Sequence, residues 1–121
     1  MIERKQALEA LMAKVEAGDD AGFRRANRAV FSTPCQDMAL QLREEHCRHA
    51  YKGSLDAAKA LHEAVLPGRD WFLTNQGCHA GELPGPLAAI HNGEAEPIDG
   101  SDENPARAWL ISIIRALIQE A

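Results

Sequence analysis

Histidine and cysteine side chains cluster at two places along the chain. His46 and His49 are three residues apart, which puts both rings on one face of a helix, and Cys47 lies between them. Cys78 and His79 add further nitrogen and sulfur donors of the kind that zinc accepts. The chain has no Cys-x-x-Cys pair, however, and Cys47 would point about 100° away from His46 on a helix. We therefore expect surface histidines, thiols that act as small apolar groups, and no bound metal.

A cysteine could act as a nucleophile if the fold brought a histidine base beside it. Cys78 and His79 cannot pair in this way on a strand, because consecutive side chains point to opposite faces. Cys35 is the better candidate, since it stands just inside a predicted helix N-terminus, where a thiol ionises more readily. The sequence offers no orienting partner and no oxyanion hole for it. We expect a protein that is not an enzyme and needs no cofactor.

Arg24, Arg25 and Arg28 form a basic cluster within one predicted helix. The cluster could contact phosphates or an acidic partner, or it could pair with neighbouring acidic residues as an ordinary solvated face. A helix-turn-helix over residues 20–51 would suit DNA binding, but its turn contains Ser-Thr-Pro rather than glycine. Its second helix also carries two glutamates among the basic residues. Nucleic acid is therefore a less favoured partner at this stage, and it stays open.

Acidic residues accumulate near the C-terminus, where the stretch from 93 to 103 has five of them and no basic residue. This composition predicts an exposed acidic loop. The loop could bind a basic protein surface by imitating a phosphate backbone, or it could simply keep a linker soluble. Its spacing does not match the calcium ligands of an EF-hand. The acidic residues are Glu94, Glu96, Asp99, Asp102 and Glu103.

The charge of the chain is unevenly distributed. Its 121 residues include 18 acidic and 13 basic ones, for a formal net charge of −5. Residues 1–52 hold nine Lys and Arg against eight acids, a net of +1, whereas residues 53–121 hold four against ten, a net of −6. The acidic excess argues against a general binder of nucleic acid or anionic membranes. Three cysteines and the lack of an apolar leader favour a cytoplasmic location and no membrane contact.

Apolar residues at helical spacing predict four helices before Pro67 and a fifth that begins at Asn104-Pro105. Short aromatic or apolar runs predict strands at residues 70–75, 78–83 and 87–90. The last helix is apolar around most of its circumference, so it must be buried on two sides. We expect Trp71, Phe72 and Trp109 to form the interface between this helix and the sheet.

The expected fold class is therefore α+β. A helical N-terminal part covers residues 1–52, and a small two- to three-stranded antiparallel sheet packed between helices follows over residues 53–121. The two parts are expected to form one compact unit.

Residues 53–121 also show a familiar order of elements. A helix closes in Leu66-Pro67-Gly68, an aromatic strand follows at Trp71-Phe72, and a long helix begins at Asn104-Pro105. This order resembles the small ABA-sandwich domains of phages and the related proteins of proteobacterial phages and prophages. The resemblance implies two helices packed on a small antiparallel sheet, and it implies no activity. The Pro84-Gly85-Pro86 break would shorten that sheet, and the helices before Gly53 lie outside the resemblance.

We expect a phage or prophage accessory protein that acts by binding another protein. One form is an inhibitor of a host defence complex, in the manner of an anti-CRISPR, with the acidic residues as its partner-binding surface. The alternative is a small DNA-binding regulator that uses the basic cluster, and a metal-binding protein or enzyme is third. The apolar last helix leaves a dimer open.

Overall fold

The computed structural model describes residues 4–31, 38–74, 87–92, 95–101 and 104–120. Five α-helices and one three-stranded antiparallel sheet occur within these residues, which confirms the α+β fold class. The elements are α1 (Arg4–Ala17), α2 (Asp20–Phe31), α3 (Met38–Tyr51), α4 (Leu55–Val65), β1 (Trp71–Thr74), β2 (Leu87–Asn92), β3 (Ala95–Ser101) and α5 (Pro105–Glu120). The predicted helix start at Thr33-Pro34 and the strand predicted over 78–83 lie outside the described residues.

Capping residues set the helix boundaries that the sequence predicts. The Ser54 hydroxyl accepts a hydrogen bond from the backbone N–H of Ala57 at 3.1 Å where α4 begins. The side-chain oxygen of Asn104 accepts one from the backbone N–H of Ala106 at 2.9 Å where α5 begins. Gly18 follows α1 with a φ of 69°, a conformation that glycine adopts without a steric penalty.

Helix α5 is the centre of the hydrophobic core. One side packs on α1, α3 and α4, and the other side packs on the sheet, which confirms that the helix is buried on two sides. One hydrophobic cluster contains buried side chains from all five helices and from β2 and β3. The buried residues of α5 are Ala106, Ala108, Trp109, Leu110, Ile111, Ser112, Ile113, Ile114, Ala116 and Leu117.

The sheet has the strand order β1-β2-β3, and its two faces differ in how deeply they are buried. Ala88 and Ile90 of β2 are fully buried on the face that packs against α5. Trp71 of β1 lies opposite Ile90 in the register, on this same face. Phe72 lies opposite Ala89, and the strand alternation places these two residues on the other face.

Two details of the sheet differ from the sequence-based expectations. Residues 95–101 form strand β3 rather than an exposed loop, because Ile98 is buried against α5 and Gly100 lets the strand approach that helix. The resemblance implied that two helices cover the sheet. In the described residues, α5 packs on the strands, whereas α4 packs on α3 and α5.

Gly100 is the point of closest approach between β3 and α5. A Cβ atom at this position would lie 2.6 Å from the carbonyl oxygen of Ala108 and 2.7 Å from the amide nitrogen of Ser112. Both of these atoms belong to the backbone of α5, so a rotamer change could not relieve the clash. Any side chain at position 100 would have to push the strand away from the helix.

We predict that Gly100→Ala lowers the free energy of unfolding by about 2–3 kcal/mol, the usual cost of overpacking a core. Gly18→Ala is the matched control, because a Cβ at Gly18 meets no atom within 4 Å. Its positive φ should cost about 1 kcal/mol. Urea denaturation followed by circular dichroism measures both values, and an equal or smaller loss for Gly100→Ala would contradict the steric argument.

A buried histidine joins α4, α5 and the turn before β1. His62 is 2 % exposed, and its Nδ1 accepts a hydrogen bond from the indole N–H of Trp109 at 3.3 Å. Because Nδ1 is an acceptor, the neutral ring carries its proton on Nε2, which donates to the carbonyl oxygen of Arg69 at 2.7 Å. Both ring nitrogens therefore have partners, which explains how a polar side chain is accommodated in this core.

We predict that His62→Phe lowers the free energy of unfolding by about 2–4 kcal/mol, because the buried indole N–H of Trp109 and the partly buried carbonyl of Arg69 lose their partner. The substitution keeps a ring of similar size, so the loss reports mainly on hydrogen bonding. His49→Phe serves as the control, since His49 is exposed on α3. Thermal or urea denaturation would contradict the assignment if the two variants were equally stable.

Candidate binding surfaces

A polar cleft of about 190 Å³ lies between helices α2 and α3, and we call it the arginine cleft. Its lining residues are Arg24, Asn27 and Arg28 of α2 with Glu44 and Arg48 of α3. The α2 residues fall on one helix face because they are three and four positions apart, and the α3 residues do so because they are four apart. The cleft thus presents the guanidinium groups of two helices to one space.

An aromatic stack fixes the two helices that form the cleft. The rings of Phe23 and Tyr51 lie 4.0 Å apart between centroids and are nearly parallel, at 12°. The Tyr51 hydroxyl donates a 2.7 Å hydrogen bond to the carboxylate of Asp20 at the start of α2. Burial and this carboxylate raise the pKa of Tyr51, so the hydroxyl remains a donor at neutral pH.

The N-terminus of α2 is fixed by a second set of contacts. Asp19 accepts a hydrogen bond from the backbone N–H of Gly22 at 3.0 Å and pairs with Lys14 of α1 at 3.4 Å. These two interactions lower the pKa of Asp19, with the backbone hydrogen bond the larger cause. Helix α2 is therefore fixed to α1 at its start and to α3 through Phe23.

Asn27 forms part of the cleft and is only 2 % exposed. Its amide nitrogen donates to the backbone carbonyl oxygen of Glu44 at 3.1 Å, which ties α2 to α3. Its side-chain oxygen accepts no hydrogen bond from the part of the chain that the structure describes. A buried acceptor without a donor is unfavourable, so this oxygen is a point where a donor would be stabilising.

The basic charge of the cleft is only partly compensated. Arg28 lies 3.6 Å from the Glu44 carboxylate, and the Arg28 side chain is largely exposed whereas that of Glu44 is partly buried. Arg24 and Arg48 are exposed and form no ion pair with another described residue. Three guanidinium groups and one carboxylate give the cleft a formal charge of about +2.

The structure separates the predicted arginine cluster into two groups. Arg24 and Arg28 line the cleft, but Arg25 does not, because it lies about 100° around the helix from Arg24. Arg48, which was not among the predicted site residues, joins them from α3. The four-residue spacing from Glu44 to Arg48 was the available signal, but only the tertiary packing of α3 on α2 brings the two helices together.

A second surface lies at the edge of the sheet, and we call it the aromatic patch. It is a shallow depression of about 300 Å³ lined by Asp70, Trp71, Phe72, Ala89 and His91. Trp71 packs against Trp109 with ring centroids 4.2 Å apart and the ring planes tilted by 36°, yet it remains 42 % exposed. Phe72 is 59 % exposed on the other face of the strand. The expectation that Phe72 contributes to the interface with α5 was wrong, because strand alternation turns it away from that helix.

The predicted acidic surface is only partly within the described residues. Glu96 and Asp99 belong to strand β3, and Asp99 lies opposite Ala89 in the strand register. The row that crosses the sheet from Phe72 through Ala89 therefore ends at Asp99. Glu94, Asp102 and Glu103 lie outside the described residues.

The histidines and cysteines do not converge in the described part of the chain. His49 is exposed on α3, His46 is half-buried, and Cys47 between them is fully buried. No group of three potential metal ligands occurs among the described residues. Cys35, Cys78 and His79 lie outside those residues.

Cys47 is a core residue of α3. Its thiol is a free cysteine with no exposed surface, and burial together with the nearby Glu44 carboxylate raises its pKa. A raised thiol pKa keeps the group protonated at neutral pH, and the thiolate is the reactive form. Cys47 is thus placed to fill space rather than to react.

We predict that iodoacetamide leaves Cys47 unmodified in the folded protein at mildly alkaline pH and modifies it in urea. In the folded state this thiol is shielded from solvent and stays protonated, so it does not react. Peptide mapping by mass spectrometry distinguishes Cys47 from the other cysteines. Equal labelling of Cys47 with and without urea would show that the thiol is accessible in the folded protein.

No protein family model, curated protein or solved structure matches this chain. None of the helices in the described ranges has the length and apolar character needed to cross a membrane.

Proposed function

We propose that this protein is a non-enzymatic binding protein and that it contacts a partner protein through the aromatic patch. The observation that carries the proposal is the exposure of two large aromatic side chains, Trp71 and Phe72, beside a depression on an edge strand. Exposed aromatic residues around an apolar depression are typical of the residues that dominate protein–protein binding energy.

The strand that carries the patch favours an extended partner segment. β1 is an outer strand of the sheet formed by the described residues, and it pairs with β2 on one side. An edge strand offers backbone donors and acceptors to an added strand, and alternate side chains of that strand enter neighbouring pockets. The partner segment would place one large apolar side chain against Phe72 and Ala89.

The charge around the patch favours a basic partner. Asp70 lines the patch and is exposed, and Asp99 lies at the end of the same cross-strand row as Phe72. The chain from residue 53 onward has a net charge of −6, from four basic and ten acidic residues. Complementary charge speeds encounter and selects partners. The proposed partner therefore carries lysine or arginine around its apolar anchor.

The resemblance to small phage domains suggests a particular form of this proposal. A phage or prophage accessory protein could use an acidic surface to occupy the basic nucleic-acid channel of a host defence complex, as an anti-CRISPR inhibitor does. RNA-guided nucleases hold nucleic acid in positively charged channels, which would suit an acidic inhibitor. The aromatic patch would then supply an apolar anchor beside the acidic residues of β3.

Selection of random linear peptides by the full chain tests the proposed surface. We predict that selected peptides combine lysine or arginine with one large apolar residue, and that Phe72→Ser weakens their binding about tenfold or more. Leu55→Ser is the matched control, because Leu55 is 41 % exposed on α4, outside the patch. Glu96→Lys with Asp99→Lys should also weaken binding if charge selects the partner.

Three results would contradict the proposal. The first is that Phe72→Ser and Leu55→Ser bind the selected peptides equally well. The second is that the selected peptides lack basic residues. The third is that sedimentation shows a dimer that Phe72→Ser dissociates, because a second copy of the chain would then occupy the patch. Unfolding measurements on both variants ensure that a loss of binding does not reflect a loss of structure.

A further inference from the structure

We infer that the arginine cleft between α2 and α3 binds a sugar phosphate, that is, a phosphate monoester on a small hydroxylated carrier. This site is separate from the aromatic patch, and the inference does not depend on the proposed protein partner. It rests on the donors and acceptors that line one cleft, on their burial, and on the packing that holds them.

The donors of the cleft match a phosphate group. Arg24, Arg28 and Arg48 each present a guanidinium group, whose planar set of N–H donors binds phosphate oxygens in pairs. Two of these arginines make no ion pair with a described residue, and the Arg28–Glu44 pair is long at 3.6 Å. A dianionic monoester would satisfy guanidinium groups that the described residues leave weakly engaged.

The acceptors of the cleft match hydroxyl groups. Glu44 contributes a carboxylate that is 30 % exposed, and Asn27 contributes a buried side-chain oxygen that accepts no hydrogen bond from a described residue. Rotating the Asn27 amide would not remove the unpaired oxygen, because its nitrogen is held by the backbone carbonyl of Glu44. A ligand with only anionic oxygens would supply no donor to the Asn27 oxygen, and it would compete with the Glu44 carboxylate for Arg28. A carrier with hydroxyl groups supplies the missing donors.

The size and surroundings of the cleft favour a small ligand over a nucleic-acid strand. Its volume of about 190 Å³ suits one phosphate with a compact carrier. A long polyanion would also have to pass Asp20, which lines the neighbouring depression that Arg24 and Arg48 share with the cleft. Arg25 lies outside the cleft, so the basic residues of α2 do not form a continuous stripe.

The packing keeps the cleft in shape without a ligand. The Phe23–Tyr51 stack and the hydrogen bond from Asn27 to the Glu44 backbone join α2 to α3 at two points along the helices. Arg24, Arg28 and Arg48 can therefore change without loss of the helix pair, because their side chains are exposed and take no part in these contacts. This separation makes the site suitable for a clean mutational test.

Titration of the isotope-labelled full chain with ribose 5-phosphate, inorganic phosphate and ribose, followed by backbone amide NMR, tests the inference. Ribose 5-phosphate should shift the amide signals of α2 and α3 in a saturable way, inorganic phosphate should bind more weakly, and ribose should cause no saturable shift. Arg48→Gln should weaken ribose 5-phosphate binding about tenfold, as expected for the loss of a charge-assisted hydrogen bond. Arg25→Gln, the control of the same type outside the cleft, should change it by less than about twofold.

Several outcomes would overturn the inference. Absence of saturable shifts with either phosphate probe would show that the cleft does not bind phosphate. Equal affinity for inorganic phosphate and ribose 5-phosphate would show that a hydroxylated carrier is not recognised. An equal loss for Arg25→Gln and Arg48→Gln would mean that diffuse positive charge, rather than the cleft, attracts the anion. Salt-dependent binding of a short single-stranded DNA, without binding of ribose 5-phosphate, would assign the arginines to nucleic acid instead.

Discussion

Helix α5 has almost no solvent-facing side in its first three turns, and the other elements are arranged around it. The side chains from Ala108 to Ile114 are all buried, which ordinary amphipathic surface helices do not show. Such a helix needs apolar partners on opposite sides. The N-terminal helices supply one side and the sheet supplies the other, so neither group would cover α5 alone.

Polar contacts define how the N-terminal helices meet this central helix. The Arg107 side chain donates to the backbone carbonyl of Tyr51 at 3.1 Å, and its guanidinium lies 4.5 Å from the centre of the Tyr51 ring. Tyr51 in turn stacks on Phe23 and donates to Asp20. One tyrosine thus connects α2, α3 and α5. The same contacts that complete the core also set the separation of the two helices that carry the arginine cleft.

The parts of this fold that could be predicted from the sequence are those with local signals. The Ser54 and Asn104 caps and the helical spacing of apolar residues mark the helices, because capping and periodicity act within a few residues. Strand β3 could not be predicted, since its acidic residues hide the alternation of Ile98 and Gly100. What makes Gly100 favourable there is its contact with α5, which is distant in the sequence.

The candidate surfaces show the same division between local and tertiary information. Arg24 and Arg28 could be placed on one helix face from their spacing alone, but Arg48 reaches them only through the packing of α3 on α2. Phe72 is a different case. Strand alternation places consecutive residues on opposite faces of a sheet. Once Trp71 is assigned to the face that packs on α5, Phe72 could therefore be predicted to point away from that helix.

The hydrogen bond from Asn27 to α3 ends on a backbone carbonyl rather than on a side chain. This contact between the helices therefore does not depend on which side chain stands at position 44. The arginine cleft can keep its shape while the side chains at positions 24, 28, 44 and 48 vary in charge and length. The shape of the arginine cleft and its charge are therefore set by different atoms. Evolution or protein engineering can change which ligand the cleft attracts without rebuilding the fold.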